Sequence, residues 1–491
     1  MLSAAAALRS FEYDETYSIF VASGVPRPAW PTAPFLAGTQ RGAYTGHASL
    51  RQIARDLRQT DVHPPLYFWS LALWRSVAGT SLLAGRMLSV LFAAGALAAV
   101  AGIAELAGVP PLTAMLFTFG CYGFAYTGAT ARGFALAQML TVCGVLLALI
   151  AARGFRLRTA AAAGLVLGAA SFANYLAVFV GAATLLWLTV IRLRSPRLWL
   201  AAASGFALLL AADFWFFIAQ RNSRTGQFPP FEWVPSLARL ARYTAGAMLG
   251  GLPLYVTGGA ARMAVGGLLA AALLALAALV AWRWRAIGAR ESRLLLAVAA
   301  VAPPIGLVLL GLAFDTTPIE LRYLSFATPF IGLLLAGALA TLSHRTGWAF
   351  GVALASLQAL ALAGLLTRPE TMQPSRATAA AAAALAGRDG LVLLPRGNDG
   401  VGVVGPFLAE SPDWLRVLPV GPLASPRRIV ALATAYPRVV LALIDVDADS
   451  RATLPAMRAA FANPCWRPAG SGFNVIAFGR ICVPPSLAGA G

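Results

Sequence analysis

Two adjacent carboxylates, Asp14 and Glu15, lie near the start of the chain in the stretch SFEYDETYSIF. They are conspicuous because only 12% of the 491 residues are charged and 59% are hydrophobic. A carboxylate within hydrogen-bond reach of a hydroxyl or an amine can remove its proton and act as a general base. The alternative interpretation is that both are ordinary acidic residues in the first turn of a helix, where the macrodipole favours negative charge.

Basic residues with a complementary chemistry follow. His63 precedes two prolines in TDVHPPLYFWSLALWRSVAG, and Arg132 lies in ATARGFAL among apolar residues. Arginine binds phosphate through paired hydrogen bonds, and a charge inside an apolar segment is costly and usually functional. Arg86 and Arg322 stand at the ends of apolar segments, where they could instead extend to lipid headgroups, and His63 could be a turn residue. Asp213 is a candidate ion-pair partner for one of the arginines.

The elements that carry these residues are predicted to be membrane helices. The mean hydropathy is +0.73, and apolar runs of about 17–25 residues recur, the length that crosses a bilayer core. The chain is therefore predicted to be a polytopic α-helical membrane protein. The predicted spans are 84–107, 110–128, 134–152, 159–173, 175–191, 198–219, 260–282, 293–313, 324–343 and 346–366.

The charge distribution predicts which loops lie outside the cytoplasm. The net charge is +19, from 38 Lys and Arg against 19 Asp and Glu. Short clusters of arginine lie in alternate loops between the predicted spans, as the positive-inside rule predicts for the cytoplasmic side. A nucleic-acid surface would instead need one continuous basic face. The clusters are Arg153, Arg156 and Arg158; Arg192, Arg194 and Arg197; Arg283, Arg285, Arg290 and Arg293; and Arg345. Residues 9–83, residues 220–259 and the tail are then extracytoplasmic. The opening MLSAAAALRS is too short to span a bilayer, so we expect that a first transmembrane helix is missing from this sequence.

The tail after residue 368 has a different composition. GLVLLP, RVVLALIDVD and FNVIAFGRICV are short β-branched runs that alternate with helix-like pieces, which indicates a small α/β domain over 369–491. Cys465 and Cys482 lie in this exported tail, where an oxidising compartment permits a disulfide, and they allow only one bridge. Cys121 and Cys143 fall within predicted spans and are interpreted as small core residues.

The segment DVDADS in the tail resembles two metal-binding motifs. As a calcium loop it lacks the glycine at its sixth position, which is Ser450, and the glutamate at its twelfth, which is Ala456. As the DxD of nucleotide-sugar transferases, Asp445 and Asp447 lack a glycine-rich phosphate loop. We therefore interpret the two aspartates as the solvated end of a strand and expect the tail to contribute no catalytic group.

Several motifs in this order resemble those of the GT-C glycosyltransferases, a class that includes protein O-mannosyltransferases, lipid A aminoarabinose transferases and lipopolysaccharide galacturonosyltransferases. The matching features are Asp14-Glu15 in the first outer loop, HPPLY at 63–67, Arg86, ATARGFAL at 129–136 and LRYLSFATPF at 321–330. The sequence departs from the family pattern at Thr130, where many relatives have Glu, and at Asn174-Tyr175, where many have His-Tyr. These departures concern the identity of the sugar or the acceptor more than the type of reaction.

The resemblance implies a GT-C fold with about ten to eleven transmembrane helices. Residues 1–368 would form the catalytic domain, with juxtamembrane helices in the 9–83 loop. It also implies an inverting enzyme that moves a sugar from a polyprenyl-phosphate donor to an envelope acceptor. Asp14 would be the base, and Glu15 would position the acceptor. The implied substrate-binding residues are His63, Tyr67, Arg86, Arg132, Asn174, Tyr175, Arg322 and Tyr323.

The predicted location is the bacterial inner membrane, with the active site and the tail on the periplasmic side. The expected partners are the lipid-linked donor, the envelope acceptor and membrane lipids, without nucleic acid, and nothing in the sequence calls for a cofactor or a metal. Two alternatives remain open. One is a transporter or flippase for an anionic lipid or solute, although the chain shows no internal repeat. The other is a non-enzymatic scaffold for envelope assembly.

Overall fold

The computed structural model describes residues 1–60, 62–221, 228–251, 258–368, 374–398 and 400–482. Parts of the predicted outer loop at 220–259 and the last residues of the tail lie outside these ranges. In the described part of the chain the helices are α1 (Leu2–Leu8), α2 (Tyr13–Ser23), α3 (Gly42–Thr45), α4 (Leu50–Thr60), α5 (Leu66–Ala78), α6 (Leu82–Ala107), α7 (Pro111–Gly120), α8 (Tyr122–Gly128), α9 (Phe134–Gly154), α10 (Leu157–Ala173), α11 (Val178–Ile191), α12 (Pro196–Gln220), α13 (Trp233–Leu249), α14 (Gly259–Arg283), α15 (Arg290–Phe314), α16 (Thr328–Ala340), α17 (His344–Thr367), α18 (Ser375–Ala386), α19 (Val404–Glu410), α20 (Pro426–Ala433) and α21 (Ala448–Ala460). Short 3₁₀ helices cover Ala37–Gln40, Tyr175–Ala177, Trp284–Ala286 and Leu321–Phe326.

These elements form two compact units. The first unit consists of Met1–Ala7, Ala54–Trp74 and Leu83–Arg368. The second consists of Leu8–Ile53, Arg75–Leu82 and Pro369–Gly491. Residues 9–83 were predicted to belong as a whole to the membrane domain, whereas most of this segment is part of the second unit together with the tail.

The first unit is built from apolar helices. Helices α6, α9, α12, α15 and α17, and α14 with the 3₁₀ turn after it, are long and apolar enough to cross a membrane. Shorter apolar helices lie at Pro111–Gly120, Leu157–Ala173, Tyr175–Ile191 and Thr328–Ala340. All of them fall within or beside predicted spans. A spanning helix satisfies its own backbone hydrogen bonds, which is why apolar runs of this length fold as helices in lipid.

The predicted span at 110–128 is divided in the structure. Helix α7 ends at Gly120, Cys121 has an extended backbone, and α8 begins at Tyr122. Gln358 of α17 lies against this break: its amide donates to the carbonyls of Phe117 and Met248, each at 3.3 Å. The carbonyl of Phe117 also accepts the backbone N–H of Cys121 at 3.2 Å. The side chain of Gln358 therefore adds a hydrogen bond at the break and links it to the end of α13.

Glycines let α10 and α12 approach closely. A Cβ on Gly164 would lie 1.9 Å from the carbonyl oxygen of Ala202, and one on Gly205 would lie 2.4 Å from that of Ala161. Only glycine fits at either position. Close backbone approach through small residues is the typical way in which helices associate in lipid.

The second unit contains a six-stranded sheet in the order β1-β3-β2-β4-β6-β5. The strands are β1 (Phe35–Leu36), β2 (Leu391–Pro395), β3 (Arg416–Val420), β4 (Arg438–Ala442), β5 (Trp466–Gly472) and β6 (Val475–Arg480). Strand β2 runs parallel to both β3 and β4, while β6 is antiparallel to β4 and to β5. Strand β1 comes from the N-terminal segment and pairs antiparallel with β3, with Phe35 opposite Val417. The prediction of a small α/β fold in the tail is confirmed.

A disulfide joins Cys465 and Cys482 across the β5–β6 hairpin, 17 residues apart. In the chain-entropy description a loop of this size stabilises the folded state by about 3 kcal/mol. We expect replacement of both cysteines by serine to lower the free energy of unfolding of the second unit by about that amount in urea titrations, with Cys143→Ser as the control. Two readily alkylated tail thiols in protein taken from intact membranes would contradict the bridge.

Candidate functional site

Arg132 lies in the turn between α8 and α9, and its side chain is 1% exposed. Its Nη2 is 3.0 Å from Nδ1 of His63, and its guanidinium carbon is 5.7 Å from the ring centroid of Phe68. A guanidinium only donates, so a hydrogen bond between the two side chains requires an unprotonated nitrogen on the His63 ring. Of the positions predicted from sequence, Arg132 and His63 are thus in direct contact.

Tyr67 reaches the same turn from the first turn of α5, just after the prolines that follow His63. A Cβ on Gly133 would lie 3.3 Å from the Cβ of Tyr67 and 2.7 Å from the carbonyl oxygen of Ala173. Gly133 is therefore required where α5, the arginine turn and the end of α10 meet. Three elements far apart in sequence bring His63, Tyr67 and Arg132 together.

Asn174 and Tyr175 follow at the end of α10. Asn174 is buried and caps the 3₁₀ helix Tyr175–Ala177 by accepting the N–H of Leu176 at 3.1 Å. The hydroxyl of Tyr175 donates to Oε1 of Gln220 at 2.6 Å. Tyr175 is thus linked by a hydrogen bond to Gln220, the last residue of α12.

Gln220 was not identified from the sequence. Its side-chain amide, 2% exposed, donates to the carbonyls of Leu57 at 2.8 Å and His63 at 3.1 Å while its oxygen accepts from Tyr175. It therefore fixes the backbone of His63, the residue that contacts Arg132. The available signal was a single amide side chain at the outer end of an apolar span.

We expect Gln220→Leu to destabilise the first unit by at least about 1–3 kcal/mol, because the Leu57 and His63 carbonyls and the Tyr175 hydroxyl lose a buried partner. Tyr175→Phe removes one of these hydrogen bonds and should cost less. Thermal unfolding of the purified protein, followed by tryptophan fluorescence, measures both changes. Equal stability of the Gln220→Leu variant and the parent would show that the three bonds are not required.

Arg322 and Tyr323 lie in the 3₁₀ helix Leu321–Phe326. Arg322 forms an ion pair with Glu320 at 2.6 Å, and its guanidinium is 5.4 Å from the Tyr323 ring. The Tyr323 ring lies 6.1 Å from that of Phe134, the first residue of α9. Tyr323 therefore lies beside the helix that begins immediately after the Arg132 turn.

Arg86 is buried in the first turns of α6 and donates from Nη1 to the carbonyl of Ala6 at 2.6 Å. It is therefore held within the first unit by the N-terminal helix. Asp213 accepts a hydrogen bond from Ser171. Within the described residues no arginine lies at ion-pair distance from it, so the prediction of an arginine partner for Asp213 is wrong. The reason is that Asp213 lies beside the α10 serine.

Asp14 and Glu15 belong to the second unit, in the first turn of α2, where they are 8% and 1% exposed. Glu12 is the N-cap residue and pairs with Arg9. The carboxylate of Glu15 accepts the N–H of Glu12 at 3.2 Å, which together with the Glu12 side chain completes a capping box. The helix-end interpretation therefore describes part of what Glu15 does, and the partial positive charge of the helix start favours both acids.

The aspartates of the DVD motif have structural partners within the tail. Asp447 caps α21 by accepting the N–H of Ser450 at 2.7 Å, and it also accepts the N–H of Asn398 at 3.1 Å. Asp445 pairs with Arg451 at 2.9 Å. No group of three His, Cys, Asp or Glu side chains in the described residues is arranged to hold a metal ion.

Comparison with known proteins identifies the fold class. No family model and no curated protein sequence matches the chain. Among solved structures, ArnT from Cupriavidus metallidurans bound to undecaprenyl phosphate is similar, with a TM-score of 0.50 and 13% identity over 100% of this chain and 97% of that one. The same protein in the apo state gives a TM-score of 0.52 and 12% identity over 96% and 94%. An oligosaccharyltransferase from Archaeoglobus fulgidus, in complex with Zn and sulfate, gives 0.38 and 13% over 89% and 64%.

The chain therefore has the GT-C fold of the ArnT structures, and the predicted fold class is confirmed. The count of about ten to eleven transmembrane helices stays a prediction. With its apolar helices it is a multi-pass membrane protein. At 12–13% identity the likeness concerns the fold, so the function rests on the residues of this chain.

Proposed function

We propose that the protein is an inverting glycosyltransferase that moves a sugar from a polyprenyl-phosphate donor to an envelope acceptor on the periplasmic face of the bacterial inner membrane. The observation that carries the proposal is the buried contact between Arg132 and His63, with Tyr67 beside it, on a fold shared with ArnT. Burying a cation among apolar helices costs free energy, and such residues usually have a function.

Arg132 would bind the phosphate of the donor. During transfer the bond between the anomeric carbon and the phosphate oxygen breaks, and polyprenyl phosphate leaves with the negative charge. A guanidinium in a low-dielectric site stabilises that charge through two parallel hydrogen bonds. The ArnT structure that holds undecaprenyl phosphate supports a lipid phosphate as the ligand of this fold. Arg86, Arg322, Asn174, Tyr175 and Tyr323 remain candidates for binding the rest of the donor or the acceptor.

Asp14 would take the proton of the acceptor hydroxyl or amine. As the proton moves to the carboxylate, the acceptor atom forms a bond to the anomeric carbon from the face opposite the phosphate. A single displacement of this kind inverts the configuration of the sugar. Glu15 would orient the acceptor. The acid pair and the arginine thus have separate tasks in one reaction.

The test is a transfer assay with defined substrates. Purified protein in lipid nanodiscs is incubated with undecaprenyl phosphate that carries 4-amino-4-deoxyarabinose, galacturonic acid or mannose, and with lipid A or a Ser/Thr peptide as acceptor. Mass spectrometry detects the sugar on the acceptor, and the Asp14→Asn variant is the matched control. We expect transfer with at least one pair. Movement of the lipid phosphate across vesicles without any transfer would instead favour a transporter.

A further inference from the structure

The N-terminal segment is part of the fold of the C-terminal domain. Strand β1 extends the sheet at β3. Arg41 donates to the carbonyls of Ala409 at 3.2 Å and Ser411 at 2.7 Å, and it pairs with Asp413 at 2.7 Å. The hydroxyl of Tyr44 donates to the carbonyl of Gly405 at 2.7 Å. Residues of α19 and of the segment after it are thus bonded to the first 50 residues of the chain.

Helix α2, which carries Asp14, is seated on the loop that follows β2 and on α19. A Cβ on Gly402 would lie 3.0 Å from the ring of Tyr13, and one on Gly405 would lie 2.4 Å from Cγ2 of Thr16. Both glycines leave room for the helix. The region beyond the carboxyl ends of parallel strands is where open α/β sheets usually bind ligands. Here part of that region is covered by a helix of the same chain.

A polar clasp holds the residues immediately before α2. The carboxylate of Glu410 accepts the N–H of Phe11 at 2.9 Å and pairs with Arg376 at 2.9 Å. Arg376 also donates to the carbonyl of Leu8 at 2.8 Å, and its backbone N–H donates to the hydroxyl of Ser10 at 2.9 Å. Two residues of the tail therefore fix three residues that precede the acidic helix.

We propose that Glu410 is a positioning residue for the transfer reaction: together with Arg376 it fixes the start of α2 and so holds the carboxylate of Asp14 in place. This inference rests on the proposed function, because it takes Asp14 as the base. The α/β domain then positions helix α2, which carries the proposed base Asp14. A misplacement of about 1 Å can lower a rate by about 10²-fold.

Hydrogen exchange tests whether Glu410 holds the start of α2, and it needs no substrate. In Glu410→Ala we expect the amides of residues 11–17 to exchange at least about tenfold faster than in the parent, since local opening follows the loss of such bonds. Arg451→Ala is the matched control, because it removes an arginine–carboxylate pair of the same 2.9 Å length from the same unit. Parent-like exchange of residues 11–17 in Glu410→Ala would overturn the inference.

A double-mutant cycle tests the effect on catalysis with the substrate pair found in the transfer assay. Glu410→Ala should lower kcat about 10- to 100-fold without changing KM for the donor. It should cause little further loss in an Asp14→Asn background, because it acts through Asp14. Additive losses would contradict this coupling.

A conservative variant covers the case in which Glu410→Ala fails to fold. Glu410→Gln keeps an acceptor for the N–H of Phe11 but loses the charge that pairs with Arg376, so an intermediate kcat is expected. Parent-like kcat in Glu410→Gln together with parent-like exchange would overturn the proposal. Full activity of Asp14→Asn would instead refute the proposed function, whereas the exchange result would still stand.

Discussion

Asp14→Asn is expected to lower turnover by a factor on the order of 10² to 10⁴, because an asparagine amide cannot accept the proton of the acceptor. The substitution keeps the size of the side chain and its place in the first turn of α2. Binding of the donor should therefore be unchanged. Steady-state transfer rates together with undecaprenyl phosphate binding separate the two effects.

Asp413→Asn is the matched control, because Asp413 is an exposed carboxylate of the same unit and its ion pair with Arg41 lies at the surface. Exposed pairs contribute little, so this variant should retain parent activity. Glu15→Gln should change acceptor affinity more than turnover, since the amide oxygen can still cap α2. Full activity in Asp14→Asn would show that another group removes the proton.

The second large effect is expected at Arg132. Arg132→Ala should weaken binding of undecaprenyl phosphate about 10- to 100-fold, the range that corresponds to losing a hydrogen bond to a charged group. Arg132→Lys should restore only part of the affinity, because an ammonium lacks the planar fork that matches a phosphate. Binding is measured by titrating undecaprenyl phosphate into the protein in nanodiscs.

Arg345→Ala provides the control for charge alone, because Arg345 is an exposed arginine of the same unit. It should bind undecaprenyl phosphate as the parent does. Thermal unfolding of each variant separates lost affinity from lost structure, which matters because Arg132 is buried. If folded Arg132→Ala binds as tightly as the parent, the donor phosphate is held elsewhere.

The sequence was sufficient to predict the fold class, for a physical reason. In lipid a backbone must satisfy its hydrogen bonds within the segment, so a long apolar run has few alternatives to a helix. The strands β2, β4 and β6 were also predicted, because each is a short β-branched run bounded by turn-forming residues. Strands β3 and β5 were missed, since RVLPV contains Pro419 and WRPAGSG is rich in residues that weaken strands.

The site was less predictable because it depends on contacts between distant segments. The motifs pointed to Arg132, His63 and Tyr67, which the structure brings together, but they gave no indication of Gln220. Nor does periodicity reveal that residues 8–53 belong to the fold of the tail, since β1 is only two residues long. Local patterns predict elements, while partners far apart in sequence follow from the whole fold.

The bond between Phe11 and Glu410 joins residues 399 positions apart, and this has a consequence for biosynthesis. At a typical synthesis rate of about 5–20 residues per second, residue 410 emerges roughly 20–80 s after residue 11. During that interval helix α2 lacks the tail residues on which it packs, and the second unit cannot complete its fold. The proposed base is then set in place only after the membrane helices have been made, so the order of synthesis delays activity until the last domain folds.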